Sequence, residues 1–77
     1  MKLPRDMDAD DLVKLLKRHG YLPTRQTGSH IRMSCESEKG AHHVTIPKHG
    51  QLKVGTLSQI LSDVASYLGK SREELLL

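Results

Sequence analysis

Neither tryptophan nor phenylalanine occurs in this chain, tyrosine occurs twice, and cysteine once. Tyr21 and Tyr67 are the only rings on which nucleic-acid bases could stack, which disfavours recognition of single strands by aromatic platforms. A lone thiol, Cys35, permits neither a disulfide framework nor a zinc site of paired cysteines. No apolar run reaches the length of a membrane span, and Met1-Lys2-Leu3-Pro4-Arg5-Asp6 lacks the hydrophobic segment of a secretory signal. A cytoplasmic location is therefore expected. The 77 residues read as one small domain, residues 1–77, of a size that buries only about 60% of its unfolded surface and leaves little room for a deep cavity.

Acids are scarce in the middle of the chain. Between Leu12 and Ser62, eight bases (Lys14, Lys17, Arg18, Arg25, Arg32, Lys39, Lys48 and Lys53) face two acids, Glu36 and Glu38, a local net charge of +6. The other seven acids lie toward the two ends. A basic middle attracts a polyanion through counterion release, so nucleic acid is the leading partner class, against the plainer reading of a solvated surface.

What is present is a clear change of apolar period. Asp8 is a helix N-cap, Leu12, Val13, Leu15 and Leu16 follow at helical spacing, and Gly20 supplies a left-handed stop, which predicts a helix over roughly residues 9 to 19. From Tyr21 to Pro47 the period becomes two and predicts strands at about 21 to 26, 29 to 35 and 42 to 47. Thr27-Gly28 forms the first turn and Glu36 to Gly40 a longer second one, while Pro23 assigns the first strand to an edge. Leu57, Ile60, Leu61, Val64, Ala65 and Leu68 then form one apolar stripe, with Thr56 and Gln59 as a capping box and Gly69 as the stop. A second box, Ser71 to Glu74, opens a short terminal helix. The expected fold is α+β: helix, three-stranded antiparallel sheet, helix and a short C-terminal helix, with both main helices on one sheet face and the other face open.

Alternation on the second strand sends Ile31, Met33 and Cys35 toward the helices and His30, Arg32 and Ser34 away from them. His43 and Thr45 share that open face. An imidazole exposed among bases can exchange protons near neutrality, whereas Cys35, facing inward, reads as a small core residue. The five histidines raise a metal reading, but His42-His43 and His49 fit no common zinc spacing, so no metal or other cofactor is expected.

Several segments then occur in a specific order: Leu3-Pro4-Arg5-Asp6, Leu15-Leu16-Lys17 through Gly20-Tyr21, Arg25-Gln26 before Gly28-Ser29-His30, Ile46-Pro47-Lys48-His49, Lys53-Val54-Gly55-Thr56-Leu57 with Ile60-Leu61, and Ser71-Arg72-Glu73-Glu74-Leu75. In this the chain resembles the HicA (YcfA-like) family of messenger-RNA interferase toxins over nearly its whole length. It departs in Tyr21, where the family commonly has phenylalanine, in Ile31-Arg32 after the histidine, and in a longer second helix. The resemblance implies a fold like that of double-stranded-RNA-binding domains, an endoribonuclease activity on messenger RNA, a HicB antitoxin as protein partner, and His30 as the catalytic histidine. Around it, Arg25, Gly28, Ser29, Arg32, Lys48, His49 and Lys53 are the candidate substrate contacts.

Residue chemistry suggests a route without metal, in which His30 accepts the proton of a ribose 2′-hydroxyl that attacks the adjacent phosphate. Arg25, Arg32 or Lys53, or the backbone amides near Gly55 and Thr56, would meet the developing charge. His49 and water are both candidates for protonating the leaving oxygen. Ser29 reads as a turn residue that orients the strand rather than as a nucleophile. The competing functions are a module that binds double-stranded RNA without cutting it and a purely structural protein partner.

Overall fold

The computed structural model describes residues 7–48 and 51–77. The first helix, α1 (Ala9–Arg18), begins at the expected N-cap: the Asp11 amide donates to Asp8 Oδ1 (2.9 Å) and the Asp8 amide to Asp11 Oδ2 (3.2 Å). Its end is equally local. The Gly20 N–H donates to the Lys17 carbonyl (3.2 Å) and the Tyr21 N–H to the Leu16 carbonyl (3.0 Å), which requires the left-handed backbone of Gly20 (φ +94°). The chain is thereby turned so that the Tyr21 ring is fully buried.

The strands β1 (Leu22–Gln26), β2 (His30–Ser37) and β3 (Gly40–Pro47) form one antiparallel sheet in the order β1-β2-β3. Pro23 lies on an edge strand as expected, and β1 carries an irregularity between Pro23 and Arg25 that leaves Thr24 outside the ladder. The register between β2 and β3 is unbroken from the His30–Pro47 pair to the Ser37–Gly40 pair. The second hairpin is therefore tighter than its polar sequence predicts, because both strands extend toward the turn at Glu38 and Lys39. Tyr67 accounts for this: its hydroxyl lies 2.7 Å from Ser37 Oγ and donates to the Gly40 carbonyl, while Lys39 Nζ donates to the Tyr67 carbonyl (3.0 Å).

Helix α2 (Val54–Leu68) starts earlier than the expected Thr56–Gln59 box. Its N-cap is Lys53, which makes no side-chain cap, and Gln59 Nε2 instead donates to Asp63 Oδ1 (2.9 Å). Gly69 (φ +67°) ends it as expected. The short α3 (Arg72–Leu76) keeps its predicted box between Ser71 and Glu74. Arg72 ties it to α2 through Ser58 Oγ (2.6 Å), and the His19 Nε2 lies 2.9 Å from the Leu75 carbonyl, joining it to the end of α1.

Leu12, Leu15 and Leu16 of α1, Leu57, Ile60, Leu61, Val64 and Ala65 of α2, and Ile31, Met33, Cys35, Val44 and Ile46 of the sheet close into one cluster with Tyr21, Leu52 and Leu75. The helices cover β2 and β3, whereas every residue of β1 is exposed. At the hairpin end of the core, His42 is half-buried. Its ring stacks on Tyr67 (centroids 4.8 Å apart) and its Nδ1 lies 2.7 Å from the Tyr21 hydroxyl. Burial pushes the Tyr21 phenol well above its ordinary range, which keeps it neutral.

Two expectations follow for stability. Leu16→Ala empties a fully buried site and should cost about 2–5 kcal/mol, read as a loss of about 4–8 °C in Tm per kcal/mol in a domain of this size. The Glu74 carboxyl is held below the ordinary carboxylate range, first by the Ser71 backbone N–H and then by the Ser71 hydroxyl. Its stabilisation is thus fully present above the ordinary carboxylate value and lost as pH falls through its own lowered value. Glu74→Gln should flatten that part of the acid limb in a series of thermal melts; an unchanged limb would contradict the assignment.

Candidate active site

His30 opens β2 and is exposed, opposite Pro47 on β3. The turn before it is tied by Thr27, whose hydroxyl accepts the Ser29 (3.3 Å) and His30 (3.1 Å) N–H groups and whose own N–H donates to the His30 carbonyl (2.9 Å). The Ser29 carbonyl in turn accepts the Lys48 N–H (2.7 Å), so the turn is fastened to the chain leaving β3. Within it, Ser29 Oγ lies 2.9 Å from His30 Nδ1. A hydrogen bond at one ring nitrogen sets the tautomer and hence the task of the other.

Beside His30 runs a cleft of about 360 Å³ lined by His30, Pro47, Gln51, Leu52, Lys53 and Thr56. One wall is the start of α2, whose first turn contains no acid. Amide groups at a helix start carry partial positive charge and favour an anion. The other wall is held by the segment before α2, where the Leu52 N–H donates to the Met7 carbonyl (3.3 Å) and Gln51 bridges to Asp8.

The candidate contacts divide into groups around this cleft. Lys53 is in it, and Ser29 touches its histidine. Gly28 sits exposed in the tied turn, where an added Cβ would meet nothing within 4 Å. Arg25 and Arg32 are exposed Cα partners across β1 and β2, on the open face of the sheet two residues along β2 from His30. Lys48 is tied to the turn through its backbone, and it lines a separate depression of about 100 Å³ with Asp8, Ala9 and Asp10. His49 lies outside the described residues.

Sequence reasoning missed Gln51 and Leu52, which reach the cleft only because the chain before α2 folds back onto the start of α1. It named the backbone amides near Thr56 as an anion contact but placed the residue at a cap, whereas Thr56 lies inside the first turn of α2, three residues after Lys53 and lining the same cleft. That i, i+3 spacing was the available signal. Among the described residues, no three His, Cys, Asp or Glu side chains converge as a metal site would require.

Residues 9–65, more than half of the chain, match the family model described as HicA toxin of bacterial toxin-antitoxin. The matched span contains α1, the whole sheet, His30 and the start of α2. No curated protein and no solved structure matches the chain.

Because His30 is exposed and Gly28 has open space around it, His30→Ala and Gly28→Ala should each change unfolding free energy by less than about 1 kcal/mol. Thermal or denaturant unfolding checks this. An unfolded His30→Ala protein would mark the histidine as structural.

Proposed function

This chain belongs to the HicA toxin family of bacterial toxin-antitoxin pairs, and from that premise we propose that it is an endoribonuclease that cuts messenger RNA at His30. Membership carries with it a toxin role and a cognate antitoxin as partner; the finer reading is that this antitoxin is of the HicB type and that both act in the cytoplasm. The observation that carries the catalytic reading is the hydrogen-bonded pair of Ser29 Oγ and His30 Nδ1 at the rim of a cleft that also holds Lys53 and the start of α2. The element order, helix, three antiparallel strands, helix, is also consistent with a fold of the double-stranded-RNA-binding type.

In the proposed reaction the Nδ1 proton is donated to Ser29 Oγ, which leaves the lone pair on Nε2. Nε2 takes the proton of a ribose 2′-hydroxyl, the 2′-oxygen attacks the adjacent phosphorus, and the bond to the 5′-oxygen of the next nucleotide breaks. That oxygen takes a proton from water or from His49. The products are a 2′,3′-cyclic phosphate and a 5′-hydroxyl end. Lys53 and the amides at the start of α2 face the charge that builds on the phosphoryl oxygens. Every proton and electron pair in this route is handled by side chains, backbone amides and water, so it requires no cofactor.

The test separates an enzyme from a module that only binds RNA. His30→Ala should lower the cleavage rate by about two to four orders of magnitude, the usual worth of a general base, while the protein stays folded and still binds the antitoxin. Wild-type products should carry cyclic phosphate ends, and cleavage should survive a chelator. Wild-type rates in a folded His30→Ala protein, or strict dependence on added divalent metal with 5′-phosphate ends, would overturn the mechanism.

A further inference from the structure

Immediately beyond His30, the open face of the sheet carries two arginines side by side. Arg25 and Arg32 are directly opposed across β1 and β2, an arrangement of like charges that destabilises a sheet when nothing lies between them. Both are exposed, and among the described residues neither guanidinium has a hydrogen-bonded or ion-paired partner. The first acid on that face of β2 is Glu36, four residues further along the strand. Between the arginines and Glu36 runs a chain of hydrogen bonds that crosses all three strands: Thr24 Oγ1 lies 2.8 Å from Ser34 Oγ, which lies 2.5 Å from His43 Nδ1. The irregularity in β1 makes this possible, because it lets Thr24 and Arg25 both lie over the open face.

Residues two apart on a strand lie about 7 Å from each other, so the arginine pair stands about 7 Å and the hydroxyl chain about 13 Å from His30. The repeat is comparable to the step between phosphates of an extended nucleic-acid strand. We infer that this face is a track for the RNA strand on one side of the cut, with Arg25 and Arg32 clamping the phosphate next to the scissile one. The Thr24, Ser34 and His43 side chains then meet the following sugar or phosphate. This rests on the reading of the chain as a ribonuclease acting at His30. A paired fork of guanidiniums followed by hydroxyls matches the chemistry of a sugar-phosphate backbone. A protein partner would call for an apolar centre, and Leu22 at the margin is the one large exposed apolar side chain that this face offers among the described residues.

The experiment measures binding of a short fluorescent oligoribonucleotide, methylated at its 2′-hydroxyls so that it cannot be cut, to the full chain over a range of salt. Arg25→Gln/Arg32→Gln should weaken binding about tenfold and reduce the slope of log K against log salt by about 0.7, the value for one phosphate on a single strand. Its thermal stability should equal or exceed that of the wild type, since an opposed pair of like charges is removed. Arg25→Lys/Arg32→Lys should recover the slope, and Lys70→Gln, at the far end of α2, should leave affinity unchanged. Wild-type affinity and slope in the glutamine variant would overturn the track even if the wild-type protein cuts RNA. So would a variant that keeps RNA binding but loses the antitoxin, because the face would then be a protein interface. If the wild type neither binds nor cuts RNA, the ribonuclease reading falls, and the track falls with it.

Discussion

Burial of Ile31, Met33 and Cys35 against α1 and α2 is the constraint on which the rest of this structure depends. A strand alternates, so placing these three side chains in the core leaves His30, Arg32 and Ser34 on the opposite face. A slip of one residue would expose three apolar groups and bury a histidine and an arginine, which makes the register energetically unambiguous. The partner strand obeys the same rule: Val44 and Ile46 are buried, and His43 and Thr45 are exposed. The open face is thus a by-product of the core.

Four described histidines show how far one residue type can be diverted by its surroundings. His19 bonds the Leu75 carbonyl and ties α3 to the end of α1. His42 lies between Tyr21 and Tyr67 and completes the hairpin end of the core. His43 terminates a chain of hydroxyls on the sheet surface. His30 alone among them lines the cleft, with its Nδ1 against a serine of a tied turn. The division also explains the length of α2. Its last turns carry Tyr67 to the β2–β3 hairpin, where the ring covers His42 and the hydroxyl holds both strand ends together. The two ends of the sheet are accordingly built for different purposes, one packed by aromatic rings and the other left open beside the histidine.

Much of this was legible because the signals are local. Asp8, Gly20, Gly69, and Ser71 with Glu74 act within a few residues of themselves, so their sequence spacing already contains their geometry. The alternation of β2 and the stripe of α2 are periodic, and they assigned the core and the exposed side of His30 without knowledge of any partner. Where local signals competed, reading was less accurate. Thr56 and Gln59 have the spacing of a capping box, yet the helix begins at Val54. The polar run Glu36 to Gly40 looks like a long loop, yet Tyr67 draws it into a tight turn from thirty residues away.

The sequence by itself therefore determined the elements, their order and the face to which His30 belongs, because caps and alternation depend on neighbours along the chain. Only the tertiary structure decided which side chains share a site with it. Gln51 and Leu52 reach the cleft because the segment before α2 folds back on the start of α1, and Lys48 lines a different depression, beside Asp8 and Asp10. Arg25 meets Arg32 because an irregularity in β1 shifts the pairing there. Each of these depends on backbone contacts between segments far apart in sequence, and no spacing along the chain encodes the distance between them.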